Sequence, residues 1–181
     1  MEGLEQLRGI LAHLAMAPNT LSLQEMITHA VSRETLKIFC ADMICLYIVK
    51  PGQDHILHKF TTRQYSEAQS IDMNESRSLA GETFKTGKIS RVNALSKSTV
   101  YNAQVDGCIG VTTKRILSIP LINIQHSIVI GSLAFINKRG QDVFTEVDEV
   151  FGMIFAYQVS LLLTSCVMYD ALFYHAQLLR G

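Results

Sequence analysis

The chain has 181 residues, 48% of them hydrophobic, which suits one domain of ordinary size with a full core. Its 16 Lys and Arg residues cancel its 16 Asp and Glu residues, so no net charge attracts nucleic acid or an anionic membrane surface. With three prolines and no low-complexity tract, the composition argues against a disordered chain.

The first predicted element is a short helix within residues 1–19. Its evidence is a set of leucines at the alternating three- and four-residue spacing of a coiled-coil seam: Leu4, Leu7, Leu11 and Leu14. Pro18 ends the pattern. Because so short a helix is marginal alone in water, we expect it to dock, with a second copy of the chain as one partner. Residues 20–181 then form the main domain.

A second helix and a β-hairpin come next. Ser22 and Glu25 form a capping-box pattern, and apolar residues from Met26 to Phe39 recur at helical spacing, which predicts one helix. Two apolar, β-branched segments around a Lys50-Pro51-Gly52 turn then predict paired strands, Met43 to Val49 and His55 to Thr62.

The middle of the chain predicts shorter elements. Ser78 suits the N-cap of a helix through Thr86, and Gly87 suits its end. A short strand and a loose helical loop follow, at Ile89 to Val92 and at Ser98 to Gly107. Two longer strands complete a mostly antiparallel sheet, Arg115 to Ile124 and Ser127 to Asn137.

The last predicted element is a long helix. Thr145 caps its start, and Asp148 and Glu149 place negative charge where the helix dipole favours it. An apolar stripe at helical spacing begins at Val147 and predicts a helix that runs past Tyr174. A helix this long exceeds a small sheet, so we expect its far end to pack against the same helix of a second subunit.

One uncharged stretch, Val150 to Tyr169, is long enough to cross a bilayer. However, polar or small residues such as Gly152 and Gln158 interrupt it, and the acidic Asp148 and Asp170 bracket it where Lys or Arg would be expected. We therefore expect no membrane insertion.

The four cysteines form no CxxC pair, and no signal peptide precedes them: Cys40, Cys45, Cys108 and Cys166. We expect reduced thiols in a cytoplasmic protein, packed as small hydrophobic side chains.

Neither a catalytic set nor a metal site emerges from the sequence. His55 and His58 are three residues apart on a predicted strand, whose period of two points them to opposite faces, so we expect surface or edge positions for both. A P-loop, a GxSxG elbow and an HExxH motif are absent. The basic residues between Arg77 and Arg91 lack interleaved aromatic residues, so a nucleic-acid polymer is not an expected partner.

A spaced motif joins the last strand to the last helix, and consists of Asn137, Lys138, Phe144, Asp148 and Glu149. With the upstream order Val105-Asp106, Thr112-Thr113 and Pro120, it resembles the GAF domains of cyclic-nucleotide phosphodiesterases over residues 22–170. The resemblance implies an α+β fold, a six-stranded antiparallel sheet flanked by helices with a long C-terminal helix. It also implies a closed pocket that in some members holds cyclic GMP or cyclic AMP.

The resemblance implies roles for particular residues. Lys138 and Asp148 form an ion pair away from the ligand, and the amides of Leu79-Ala80-Gly81 match the phosphate site at a helix start. Four residues fall on the segment that closes over the purine and ribose: Tyr101, Val105, Asp106 and Thr113. Simpler interpretations stay open, namely surface charges around a turn, an ordinary helix start, and a turn before a strand.

Three positions depart from the family pattern. Cys45 stands where ligand-binding members often carry a small hydroxyl residue, Thr62 falls near a usual aspartate, and Ala134 replaces a frequent glutamate. Each missing hydrogen bond to the base weakens binding by about 1 to 3 kcal/mol. The departures therefore indicate that the pocket has either lost its ligand or binds a different one.

Three functions are consistent with these residues. The first is a non-catalytic regulatory module of a longer phosphodiesterase or related signalling protein, which binds cyclic GMP or cyclic AMP and dimerises through its N- and C-terminal helices. The second is a ligand-free dimerisation scaffold, favoured by Cys45 and Ala134. The third is a reductase similar to GAF-like methionine-sulfoxide reductases, with Cys108 as the nucleophile.

Overall fold

A six-stranded antiparallel sheet is the centre of the fold. The computed structural model describes residues 8, 23–49, 55–75, 77–140 and 143–178. In chain order the strands are β1 Ala41–Val49, β2 Ile56–Thr61, β3 Gln64–Asp72, β4 Ser90–Val92, β5 Ile116–Asn123 and β6 Ile128–Lys138. They lie in the order β3-β2-β1-β6-β5-β4, and each neighbouring pair is antiparallel. The predicted sheet is therefore confirmed.

Helices flank this sheet on both faces. Over the described residues from 23 onward they are α1 Leu23–Ala30, α2 Arg33–Phe39, α3 Leu79–Thr86 and α4 Glu146–Leu178, with a 3-10 turn at Leu95–Lys97. The 33-residue α4 runs past Tyr174, as predicted. The leucines of the predicted N-terminal helix, Leu4 to Leu14, lie outside the described residues.

Alternate residues of the central strands enter two separate cores. On β1, Ile44 and Leu46 belong to the core shared with α1, α2 and α4, whereas Cys45 and Tyr47 belong to the core beneath α3. All four side chains are fully buried. Because both faces are covered, β1 is a continuous apolar run without the alternation of a half-exposed strand.

The predicted caps of α3 are confirmed. The Ser78 hydroxyl accepts a hydrogen bond from the Gly81 N–H at 3.0 Å, and Gly87 ends the helix with a φ of +64°. This left-handed conformation carries no steric penalty for glycine. The start of α3 is thereby fixed against the sheet, which matters for the site described below.

Two parts of the prediction were wrong. The single helix expected from Ser22 to Phe39 is two helices, because the Ser32 hydroxyl accepts from the Thr35 N–H at 3.2 Å and starts a new one. Strand β3 was missed, because Gln, Ser and Glu residues in Gln64–Asp72 hide the apolar pattern of a strand.

The segment from Ser98 to Gly107 is a loop with a helical turn, as expected, because the N–H groups of Asp106 and Gly107 donate to the carbonyls of Asn102 and Ala103, four residues earlier. The Ser98 hydroxyl accepts from the N–H groups of Val100 and Tyr101, and the Asp106 carboxylate accepts from the Asn102 N–H. Side-chain acceptors thus take the amides of residues 100–102, so the turn does not extend into a longer helix. We call residues 98–111 the closing segment, because they cover the sheet beside α3.

One stretch of the described residues, Glu146–Cys166 of α4, is long and apolar enough to cross a membrane by length and composition. Its inner side belongs to the core on the sheet, where Phe155 and Val159 are fully buried. The core helix of a globular domain passes the same test, so the stretch is weak evidence for a membrane span.

A buried ion pair braces the junction between β6 and α4. The Lys138 ammonium pairs with Asp148 Oδ1, and Asp148 Oδ2 accepts from the Thr145 N–H at 2.8 Å and the Thr145 hydroxyl at 2.9 Å. Phe144 lies buried at the same junction, and Glu149 pairs with Arg91 at 2.7 Å. These contacts set the angle at which α4 leaves the sheet.

Asn137 connects the junction between β6 and α4 to the loop that precedes β5. Its φ of +51° is left-handed, which asparagine tolerates better than most residues. Asn137 Oδ1 accepts from the Lys114 N–H at 2.8 Å, and its Nδ2 donates to Asp42 Oδ2 and the Thr112 carbonyl. One side chain therefore joins three parts of the fold.

The ion pair gives the fold a pH dependence. Burial raises the pKa of Asp148, but the hydrogen bonds from Lys138 and Thr145 outweigh burial and hold that pKa below its ordinary value. A carboxyl group with a lowered folded-state pKa stabilises the fold above its unfolded-state pKa. It loses that contribution as the pH falls through the folded-state pKa.

We expect Lys138→Met to lower the free energy of unfolding by about 1 to 3 kcal/mol at neutral pH, because it leaves the Asp148 carboxylate without its cation. The matched control is Arg139→Met, which breaks an ion pair with Asp42 whose side chains are 63% and 36% exposed. It should cost less than about 1 kcal/mol. In denaturant unfolding, the Lys138→Met deficit should shrink below about pH 4. A deficit that is constant with pH would contradict this account.

Candidate functional site

Several residues predicted to bind a ligand gather on the sheet face beneath α3. Cys45 of β1 and Ala134 of β6 are direct partners in the sheet, and both belong to one buried cluster with Leu79, Ala80 and Val105. Apolar side chains from neighbouring strands fill the remaining space, among them Tyr47, Leu57, Ile71 and Ile116. The predicted pocket is therefore packed with side chains in this conformation.

The Asp106 carboxylate occupies the start of α3. Its Oδ2 accepts from the Leu79 N–H at 2.9 Å, and its Oδ1 accepts from the Ala80 N–H at 3.0 Å. Oδ2 also accepts from the Asn102 N–H at 2.9 Å. Free N–H groups at a helix start favour an anion. The amides that the family resemblance assigns to a phosphate thus bind an anion supplied by the chain itself.

Burial changes the acidity of this carboxyl group. It raises the pKa of Asp106 above the ordinary value, although the hydrogen bonds from Asn102, Ala80 and Leu79 and the charge of Lys59 act in the opposite direction. In this buried position the ionised form of Asp106 depends for its stability on the N–H groups that donate to it. If Asp106 moves away from α3 and loses these donors, its carboxylate is more stable in water.

Lys59 is a site residue that the sequence analysis missed. Its side chain is 4% exposed, and its ammonium donates to the Val105 carbonyl at 2.7 Å and to the Gly107 carbonyl at 2.6 Å. The Tyr47 hydroxyl donates to the same Val105 carbonyl at 3.0 Å. Both residues hold the closing segment on the sheet. The signal was available, since Lys59 lies two positions after the buried Leu57 and therefore on the same strand face.

The remaining predicted residues lie at the margin or elsewhere. Tyr101 is half-buried and packs against the cluster, and Thr113 is half-buried at the end of the loop before β5. Thr62 lies apart from the cluster, because its hydroxyl bonds to the backbone of Ile44 and it lines a separate open cleft of about 910 Å³ beside α2. The structure thus separates Thr62 from the other predicted ligand residues.

One of the two histidines, His58, differs from expectation. His55 is exposed in the turn before β2, but His58 is buried within β2, with its Nδ1 at 3.4 Å from the Ser70 hydroxyl. The expected surface or edge position of His58 was wrong, because the unpredicted strand β3 pairs with β2 and makes β2 an internal strand of the sheet.

Two buried hydroxyl groups near α3 lack hydrogen-bond partners within the described residues. They are Thr83 Oγ1 on α3 and Ser118 Oγ on β5, and α3 lies over β5 and β6. A buried hydroxyl without a partner costs about 1 to 3 kcal/mol. Native structures usually satisfy such groups with a protein group, a water molecule or a ligand.

Comparison with known proteins gives a partial sequence match. No protein-family model matches the chain. Over 109 residues the chain is 36% identical to a Caenorhabditis elegans protein named Probable 3',5'-cyclic phosphodiesterase pde-5. This alignment covers 60% of the chain and 15% of that protein, so the chain spans only a small part of this relative.

Solved structures share the fold over nearly the whole chain. The GAF domain of an Acinetobacter phosphoenolpyruvate-protein phosphotransferase has a TM-score of 0.74 at 17% identity, and the match covers 94% of this chain and 98% of that one. The free methionine-R-sulfoxide reductase of Neisseria meningitidis has a TM-score of 0.67 at 14% identity, covering 92% and 91%. At these identities the likeness establishes the fold alone, and that fold is the GAF fold.

We expect Asp106→Asn to lower the free energy of unfolding by about 1 to 3 kcal/mol, because one amide oxygen replaces the two carboxylate oxygens that serve three N–H groups. The matched control is Asp72→Asn, whose carboxylate accepts from the Asn74 N–H in an exposed turn. It should change stability by less than about 0.5 kcal/mol. Denaturant unfolding measures both variants, and equal effects would refute the importance of the Asp106 contacts.

Proposed function

We propose that the chain is a regulatory module of a cyclic-nucleotide phosphodiesterase or a related signalling protein, acting by binding rather than by chemistry. The GAF fold and the partial identity to a protein named as a probable cyclic phosphodiesterase support this class. The assembled junction of Lys138, Phe144 and Asp148 supports it further, because these residues carry the family resemblance in the sequence. A cytoplasmic location is part of the proposal.

We propose a purine cyclic nucleotide, cyclic GMP or cyclic AMP, as the ligand. The observation that carries this proposal is the anion position at the start of α3, where the Leu79 and Ala80 N–H groups already bind a carboxylate. A cyclic phosphate carries the same single negative charge and offers the same kind of acceptor oxygens. The unpaired hydroxyls of Thr83 and Ser118 add polar groups that a nucleotide could satisfy.

Binding then requires an exchange of anions. The ligand phosphate displaces the Asp106 carboxylate from α3, and the closing segment moves away from the sheet far enough to admit the base. An open cleft of about 420 Å³ lies beside the first turn of α3, lined by Leu79 and Glu82 and by residues 90–94 and 97–100. The closed form competes with the ligand, so the apparent affinity falls with the population of the open form.

A second candidate function is a ligand-free dimerisation scaffold. It is favoured by the packed state of the pocket and by a stripe of exposed apolar residues along α4: Val147, Val150, Ile154, Tyr157 and Leu161. Their alternating three- and four-residue spacing is that of a coiled-coil seam, and each is at least 41% exposed. We propose that a second copy of the chain covers this stripe, together with the N-terminal helix. The dimer is compatible with either function.

The ligand proposal predicts stabilisation by a nucleotide. At one hundred times the dissociation constant, cyclic GMP or cyclic AMP should add about 2.7 kcal/mol, a shift of several degrees in thermal unfolding. Asp106→Asn should bind the same nucleotide about fivefold or more tightly, because the internal competitor is weakened. Asp72→Asn should bind like the wild type.

Each result separates two accounts. Weaker binding by Asp106→Asn would mean that Asp106 contacts the ligand directly, and would contradict the exchange of anions. No shift with either nucleotide, for the wild type and for Asp106→Asn, would leave the scaffold as the better function.

The dimer proposal predicts a dimer at micromolar concentration in sedimentation equilibrium. Replacing both Tyr157 and Leu161 by Glu should raise the dimer dissociation constant about tenfold or more, because it places like charges in the seam. Ile109→Glu is the control, since Ile109 is 90% exposed in the closing segment on the other face of the sheet. A monomeric wild type, or an equal effect of the control, would contradict the assigned surface.

A further inference from the structure

We infer that Cys45 and Cys108 form a redox-active pair, which a peroxide oxidises to a disulfide that fastens the closing segment to the sheet. The inference goes beyond nucleotide binding and does not depend on it, because it uses no contact with a ligand. It concerns two residues that the sequence places 63 positions apart.

The geometry brings the two sulfur atoms together. Cys45 Sγ and Cys108 Sγ lie 2.9 Å apart, with Cys45 fully buried in the central strand β1 and Cys108 half-buried in the closing segment. A disulfide bond is about 2.05 Å long, so the sulfur atoms must approach by about 0.9 Å. Cys108 can supply this movement, because it lies outside the six strands and its backbone pairs with Val111 in an isolated bridge.

The surroundings divide the roles between the two thiols. The hydrogen bond from Cys45 lowers the pKa of Cys108, with Lys59 and Arg63 acting in the same direction against burial and Asp106. The same hydrogen bond and complete burial raise the pKa of Cys45. Cys108 is therefore the thiol that ionises more readily and lies nearer to solvent, whereas Cys45 ionises less readily and lies behind it.

The chemistry balances with hydrogen peroxide as the oxidant. The Cys108 thiolate attacks one peroxide oxygen, the O–O bond breaks, and hydroxide leaves and takes up a proton to become water. The product is a sulfenic acid on Cys108. The Cys45 sulfur then attacks the Cys108 sulfur and releases its proton, the S–O bond breaks, and a second water leaves. Two thiols have given up two electrons, and one peroxide has become two waters.

The other two cysteines serve as internal references. Cys40 is exposed and donates its thiol to the Lys37 carbonyl at 3.5 Å, whereas Cys166 lies in the core on the opposite face of the sheet. Cys40 is thus accessible to the oxidant without a second thiol as close as Cys45 is to Cys108. It tests whether exposure alone explains oxidation.

The experiment treats the full chain with one equivalent of hydrogen peroxide, alkylates under denaturing conditions, and maps the peptides by mass spectrometry. We expect a peptide pair linked through Cys45 and Cys108, about 2 Da lighter than the two thiols and released by dithiothreitol. Cys40→Ser should form the same link to the same extent. Cys108→Ser should leave Cys45 reduced, because Cys45 is fully buried.

The Cys45→Ser variant distinguishes a pair from a single reactive thiol. Without its partner, Cys108 should proceed to the sulfinic acid, about 32 Da heavier, which dithiothreitol does not reverse. If Cys45→Ser does not fold, the half-buried Cys108→Ser still provides the test. Oxidation confined to Cys40, a disulfide between two chains, or free alkylation of both Cys45 and Cys108 after peroxide would each overturn the inference.

The structural consequence is measurable without a ligand. In the oxidised chain the amides of the closing segment should exchange with solvent about tenfold or more slowly than in the reduced chain, because the disulfide suppresses local opening. The melting temperature should rise by about 5 °C or more. Cys108→Ser should show neither change on peroxide treatment, and unchanged exchange in the linked wild type would refute the fastening of the segment.

Discussion

The contact between the Asp106 carboxylate and the start of α3 holds the closing segment over one face of the sheet. Asp106 accepts from the N–H groups of Leu79 and Ala80, which join a helix to a loop that is distant in the sequence. The loop in turn covers Cys45 and Tyr47 on the central strand. Because this anion belongs to the chain, the closing segment and a ligand would compete for the same donors. Without a ligand, the anion position at the start of α3 is thus occupied by the chain's own Asp106.

A second charged side chain on this face, Lys59, holds the closing segment in one position on the sheet. Lys59 is almost wholly buried, which is costly without hydrogen-bond acceptors, and two carbonyls of the closing segment accept two of its three ammonium hydrogens. Lys59 also favours the ionised forms of Asp106 and Cys108. One lysine therefore links the anion at α3, the backbone of the segment and the thiol pair. A change in any of the three alters the environment of the other two.

The sequence predicted the elements that carry their own local signals, but not the contacts between segments that are far apart in the chain. The capped helix α3 and the hairpin of β5 and β6 carry their own signals, a Ser and a Gly at the ends of one and two dense apolar runs in the other. Strand β3 carries no such signal, because its polar residues are typical of a loop. Its absence from the prediction also misplaced His58. The strand period places Lys59 on the same face as Leu57, but it does not reveal the carbonyls of the closing segment that bind Lys59. The approach of Cys45 to Cys108 arises only when β1 and the closing segment assemble, and no spacing in the sequence encodes it.

The long α4 extends far from the junction that anchors its first turn. Its 33 residues correspond to about 50 Å of helix, while its anchoring ion pair, between Lys138 and Asp148, lies in its first turn. A tilt of about 10° at that base displaces the far end of a rod of about 50 Å by about 9 Å. Asn137 adjoins the same base and is bonded to the loop that leaves the closing segment, at Thr112 and Lys114. Any rotation of α4 at this junction would therefore be enlarged at its far end, and would have to shift the contacts that Phe155 and Val159 make in the core on the sheet.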